Sequence, residues 1–188
     1  MAMRSVLLKS VGKLGNAQLA IDTATSNLSE VQDHLRHLEN AKIIIREIGA
    51  ECQEMAQRRI DNVVTKCLQA VFGTHAYRFR LNFETKRGQT EASAVLVDAH
   101  GNELSPTDAV GGGVLDIVAF GLRLGCLALM RPRPAQVLVL DEPFRFLSKQ
   151  YRGNVRKLLT ELSEELGIQI VMVTHIPEFM DMESVIEI

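Results

Sequence analysis

Two adjacent carboxylates, Asp141 and Glu142, end the apolar run Val137–Leu140, and a second apolar run, Ile168–Val173, ends in Thr174-His175. Residues of these types suit a nucleotide site. Asp141 fits a magnesium ion, a hard cation that takes one or two carboxylates alongside phosphate oxygens and water. Glu142 fits the orientation or deprotonation of a water, and His175 fits contact with a terminal phosphate. A phosphate-cradling loop normally accompanies such residues. Yet GxxxxGK followed by Ser or Thr occurs nowhere in the chain.

For these groups to meet, the two runs must be neighbouring strands. Between them, Lys149–Leu166 places Val155, Leu158, Leu159, Leu162 and Leu166 on one helical face, with Gly167 as the terminating glycine. A strand–helix–strand succession forms a parallel crossover, so both runs end on one sheet edge. Ligands of open α/β sheets bind outside that edge. The unbroken apolar character of the runs predicts strands covered on both faces. Upstream, Gly111, Gly112 and Gly113 open Val114–Met130, which is apolar on nearly all sides except at Asp116 and Arg123. That pattern predicts a buried helix, stopped by the RPRP at 131–134. Asp116 and Arg123 read as ion-pair or capping residues of that helix. Pro177 opens a short helical turn, and Val185–Ile188 reads as a last strand.

The first third differs. Leu14, Ile21, Leu28 and Leu35 recur every seventh residue, with Ala17, Ala24, Val31, Leu38 and Ile45 at the alternate heptad position. Lys42 and Gly49 interrupt the stripe, and a looser apolar pattern continues to about Val71. Such a stripe needs a partner helix, and no second heptad segment follows. Tyr77, Phe79, Leu81 and Phe83 then alternate with polar residues, and Ala92–Asp98 follows the turn-like KRGQ, so a half-buried antiparallel hairpin is expected. The expected division is therefore 1–71, a coiled-coil helix, and 72–188, an α/β unit. A net charge of −2 excludes a global pull toward polyanions, so any nucleic-acid contact must be local. Arg78, Arg80, Lys86 and Arg87 are the candidates, against the simpler reading of a solvated strand face. Cys52, Cys67 and Cys126 lack metal or disulfide spacing and read as reduced core residues. The start is too short in apolar residues for a signal peptide, and no segment reads as long enough to span a membrane. The chain is expected to be cytoplasmic.

VLVLDEP resembles the Walker B strand of ABC-type ATPases, and Val173-Thr174-His175 resembles their switch-histidine loop. AVGGGVLDIVAFGLRLG resembles the signature motif and its helix. Coiled coil, hairpin, signature helix, Walker B and switch histidine is the order in the C-terminal half of the SMC and SbcC-type DNA-repair ATPases. The resemblance implies an ABC-ATPase C-terminal lobe that binds ATP and magnesium between two heads. It assigns the metal to Asp141, the attacking water to Glu142 and the γ-phosphate to His175. Gly111, Gly112 and Gly113 would contact the nucleotide of the opposite head. The implied partners are an N-terminal lobe with the phosphate loop, a second head, DNA and an SbcD-type nuclease. The implied process is DNA repair, recombination or end processing.

The chain departs from that pattern at Gly111, where the signature has serine, and at Leu147-Ser148, where the family has Leu-Asp. The missing phosphate loop makes the chain resemble a C-terminal lobe alone. The alternative is a non-catalytic protein that uses this fold and coiled coil to bind an ATPase or chromosome-associated partner.

Overall fold

The computed structural model describes residues 2–74, 77–86, 89–106 and 111–180. The expected strand at Val185–Ile188 and the centre of the KRGQ turn lie outside them. The element order is α1 (Ala2–Phe72), β1 (Arg78–Lys86), β2 (Gln89–Val97), β3 (Glu103–Leu104), α2 (Gly112–Leu129), β4 (Val137–Asp141), α3 (Lys149–Leu166), β5 (Gln169–Val173) and α4 (Pro177–Met180). The chain divides into two units, one ending at Cys52 and one starting at Gln53.

The first unit is helix alone. Its heptad residues Leu14, Ile21, Leu28, Leu35 and Leu38 are all exposed, because one helix cannot bury its own stripe. Local pairs support it, such as the Gln18–Asp22 hydrogen bond of 3.0 Å.

In the second unit, the last turns of α1 change character. Val64, Cys67, Leu68 and Val71, spaced three and four apart, are buried against the core. Helix α2 approaches this face through two glycines one turn apart. A Cβ on Gly121 would lie 3.0 Å from the Val64 Cα, and one on Gly125 would lie 3.5 Å from the Ile60 side chain. The same stretch of α1 closes the open edge of the hairpin. Asp61 Oδ1 accepts from the Leu81 N–H at 2.8 Å, and Thr65 Oγ1 accepts from the Phe79 N–H at 3.0 Å. These side chains satisfy strand groups that would otherwise be unpaired. Burial pushes the Asp61 carboxyl above its ordinary value, opposed by the Leu81 N–H and by Arg80. Strands β1, β2 and β3 form one antiparallel sheet with the alternation expected, Phe79 inward and Arg78 and Arg80 outward.

Strands β4 and β5 pair in parallel, with Val137 opposite Gln169 and Asp141 opposite Val173. Helix α3 buries Val155, Leu158 and Leu159 and ends at Gly167, whose φ of 63° is left-handed. A ladder of rings, Phe120–Phe144 at 5.4 Å and Phe144–Phe179 at 5.9 Å, joins α2, the segment after β4, and α4.

Three expectations need correction. The β4–β5 sheet is covered on one face only: Leu138 and Leu140 are buried, but Val137, Val139, Val171 and Val173 are exposed. Nothing among the described residues covers that second face. Of the cysteines, only Cys67 is in the core, where burial pushes its thiol up to about 12; Cys52 and Cys126 are exposed on their helices. Finally, α2 is long and apolar enough to cross a membrane by length and composition. Its apolar character has another use, since Ile117, Val118, Phe120 and Leu124 pack into the core.

The glycines give a direct test of this packing. Gly153, in α3, has open space around it, so Gly153→Ala should stabilise the protein by about 0.5–1 kcal/mol through helix propensity. Gly121→Val should instead cost about 1–3 kcal/mol, because Val64 offers no room. Chemical denaturation of both variants checks the contrast.

Candidate functional site

The parallel register brings the candidate residues to one edge. The Glu142 N–H donates to the Val173 carbonyl at 2.9 Å, extending the ladder one residue past β4. Glu142 and His175 therefore leave the sheet side by side. His175 Nδ1 lies 2.6 Å from Glu142 Oε2. That approach is within ion-pair distance but does not meet hydrogen-bond geometry, and Oε2 is a buried acceptor without a hydrogen-bond partner. The imidazole itself is mostly exposed, at 68%. Asp141, at the last β4 position, is exposed on the uncovered face of the sheet.

The chain turns sharply after the carboxylates. Glu142 and Phe144 both have positive φ, 44° and 62°, a conformation that costs a non-glycine residue about 1–3 kcal/mol and persists only where its surroundings enforce it. Those surroundings are visible. The Phe144 ring is fully buried in the aromatic ladder, and the Leu147 N–H donates to the Phe144 carbonyl at 3.0 Å. Asp116 Oδ2, on α2, accepts from the Phe146 N–H at 3.0 Å. Burial raises the Asp116 carboxyl, opposed by the Phe146 N–H and the Arg145 guanidinium. The sequence suggested a helix-face ion pair or cap for Asp116; its partner is instead a backbone amide 30 residues away.

The three glycines divide into two kinds. A Cβ on Gly112 would stand 2.9 Å from the Phe146 Cβ, and one on Gly113 would stand 3.1 Å from the Leu147 Cα, so both permit close approach of α2 to the turn. Gly111 precedes the helix at φ −66°, with open space around it, and has no such steric need. A cleft of about 340 Å³ opens at this helix start, lined by Phe72, Tyr77, Gly112, Phe146 and Tyr151. The cleft adjoins the glycines, whereas Glu142 and His175 sit on an open edge.

Magnesium fits what is here. Among the described residues no group of three or more metal-ligating side chains is gathered. A single exposed aspartate at a strand end suits an ion that draws most of its ligands from phosphate and water. Of the basic cluster, Arg80 is already paired with Glu103 at 2.6 Å, and Arg87 lies outside the described residues. Sequence patterning overlooked Arg152 and Glu178, which meet at 2.9 Å beside this edge. Their spacing of 26 residues leaves no local signature.

Residues 122–181 match the family model described as "AAA domain, putative AbiEii toxin, Type IV TA system". Over 99 residues the chain is 36% identical to the thiamine import ATP-binding protein ThiQ of Brucella abortus, covering 53% of this chain. The chain spans only 38% of that relative's length. Its backbone is similar to a structure described under ATP-driven dimerization and DNA-stimulated activation of SMC ATPases. There the TM-score is 0.54 at 16% identity, over 69% of this chain and 75% of the other. It is also similar to the Smc head domain with a coiled coil and joint from Pyrococcus yayanosii, with a TM-score of 0.52 at 17% identity, over 72% and 24% of the two chains.

Asp116→Asn tests the tie between α2 and the turn, since the amide oxygen can still accept from Phe146. A carboxyl raised by folding lowers stability as pH rises from the unfolded value of 3.8 toward its folded value. The variant should therefore match the wild type below that window and gain relative to it above. Thermal midpoints from pH 3 to pH 7 check this; a constant difference would contradict it.

Proposed function

We propose that this chain, which has the ABC-type ATPase fold in its SMC-like form, supplies the hydrolytic half of a composite ATP site. The observation that carries the reading is the shared strand edge, where Glu142 and His175 stand 2.6 Å apart next to Asp141. When bound, magnesium would neutralise phosphate charge and orient the terminal phosphoryl group. Asp141 would hold that ion. Glu142 would orient the attacking water and accept its proton. His175, adjacent and exposed, would reach the γ-phosphate and report its presence. Gly111, Gly112 and Gly113, at a helix N-terminus, would offer backbone N–H groups to the nucleotide of an opposing head.

The reading requires a second lobe. No phosphate loop occurs in this sequence, and a parallel sheet is ordinarily covered on both faces. The bare valines Val137, Val139, Val171 and Val173 support docking of such a lobe, which would also complete the nucleotide pocket. The long heptad helix favours an SMC-like or SbcC-like role in DNA repair, recombination or end processing over that of an importer subunit. Its partners would be a second head, DNA and an SbcD-type nuclease, in the cytoplasm. In the rival reading, a non-catalytic interaction protein, Glu142 has no water to activate.

Co-expression with a lobe bearing the phosphate loop separates the two. With DNA present, Glu142→Gln should lower ATP turnover by about 10²–10⁴-fold while leaving nucleotide binding intact. Unchanged turnover in that variant would remove Glu142 from its role.

A further inference from the structure

The Glu142–His175 contact joins two segments that have no covalent reason to keep one separation. Glu142 begins a turn with two left-handed residues, and His175 begins the irregular link between β5 and α4. Each segment is tied to the same side chain. Arg152, in the first turn of α3, donates from Nε to the Leu147 carbonyl at 3.3 Å. The same guanidinium donates from Nη1 to Glu178 Oε2 at 2.9 Å. Leu147 closes the turn that Glu142 opens, and Glu178 lies three residues after His175.

We propose that Arg152 is a positioning residue for the proposed hydrolytic pair: its two-pronged contact sets how far Glu142 stands from His175. The inference rests on the ATPase reading above. Three features support it. Arg152 and Glu178 are part-buried, with side chains 22% and 31% exposed, so their bond is somewhat less screened than a fully exposed pair. Lys149, 3.9 Å from the other Glu178 oxygen and 86% exposed, adds little. The fork also suits arginine, since its two donors sit on separate nitrogens of one rigid plane, whereas an ammonium offers all its N–H groups from a single nitrogen. Glu178 is held below the ordinary carboxylate value first by its own backbone N–H, then by Arg152 and Lys149, so it stays charged at neutral pH.

Loss of the fork should not unfold the site. Phe144 and Phe179 still pack ring on ring, keeping the two segments in apolar contact. The Glu142 N–H bond to the Val173 carbonyl remains as well, so what is lost is the tie between Leu147 and Glu178. In the co-expressed assembly, Arg152→Lys should lower kcat about tenfold while leaving KM for ATP within about twofold. These changes follow from a misplaced water-activating group with nucleotide binding intact. The double variant Arg152→Glu/Glu178→Arg restores an ion pair but leaves no donor for the Leu147 carbonyl. Its thermal midpoint should recover while kcat does not; recovery of both would reduce Arg152 to a structural salt bridge and overturn the proposal.

A second readout needs no hydrolysis. In long-range ¹H–¹⁵N spectra of the full chain, Glu142→Gln and Arg152→Lys should both shift the His175 ring signals. If only Glu142→Gln shifts them, the positioning role falls while the site reading stands. If Glu142→Gln changes neither the ring signals nor turnover, the ATPase reading itself fails and takes the proposal with it.

Discussion

The pairing of β4 with β5 is the interaction on which everything else depends. A one-residue slip of β5 would turn its inward residues outward and separate the histidine from the carboxylates. The observed register, Leu140 opposite Met172 and Asp141 opposite Val173, does two jobs at once. It buries Leu138 and Leu140, and it carries the Glu142 N–H onto the Val173 carbonyl. The hydrophobic pattern that stabilises the sheet thereby also sets which side chains leave it together.

Past that edge the backbone is strained, and its neighbours share the task of holding it. Helix α2 contributes the Asp116 acceptor and the two glycines that allow it to lie against Phe146 and Leu147. Helix α3 contributes Arg152, and the aromatic ladder fills the space beneath. Helix α2 in turn rests on the end of α1 at Gly121 and Gly125. The turn after Glu142 is thus connected by packing, through α2, to the last turns of α1.

Much of this was legible in the sequence, and the reasons differ by element. Helix α3 was clear because its apolar positions recur at helical spacing and Gly167 marks its end; the observed range is Lys149–Leu166, as expected. Strand β1 was clear from strict alternation. Bringing Glu142 next to His175 needed only the crossover rule. Features that depend on contacts between distant residues stayed hidden. Glycines Gly112 and Gly113 look like loop punctuation until Phe146 is seen against them. Arg152 and Glu178 resemble ordinary surface charges, and the left-handed φ at Glu142 and Phe144 has no glycine to announce it. The apolar runs also predicted two covered sheet faces. Among the described residues one of them is bare.

The central claim is that this edge is half of a nucleotide site. Isothermal titration of magnesium-ATP into the chain, alone and joined to a lobe with the phosphate loop, tests it most directly. The account predicts no measurable binding to the chain alone and micromolar binding to the joined pair. Micromolar binding by the chain alone, or none by the pair, would contradict it.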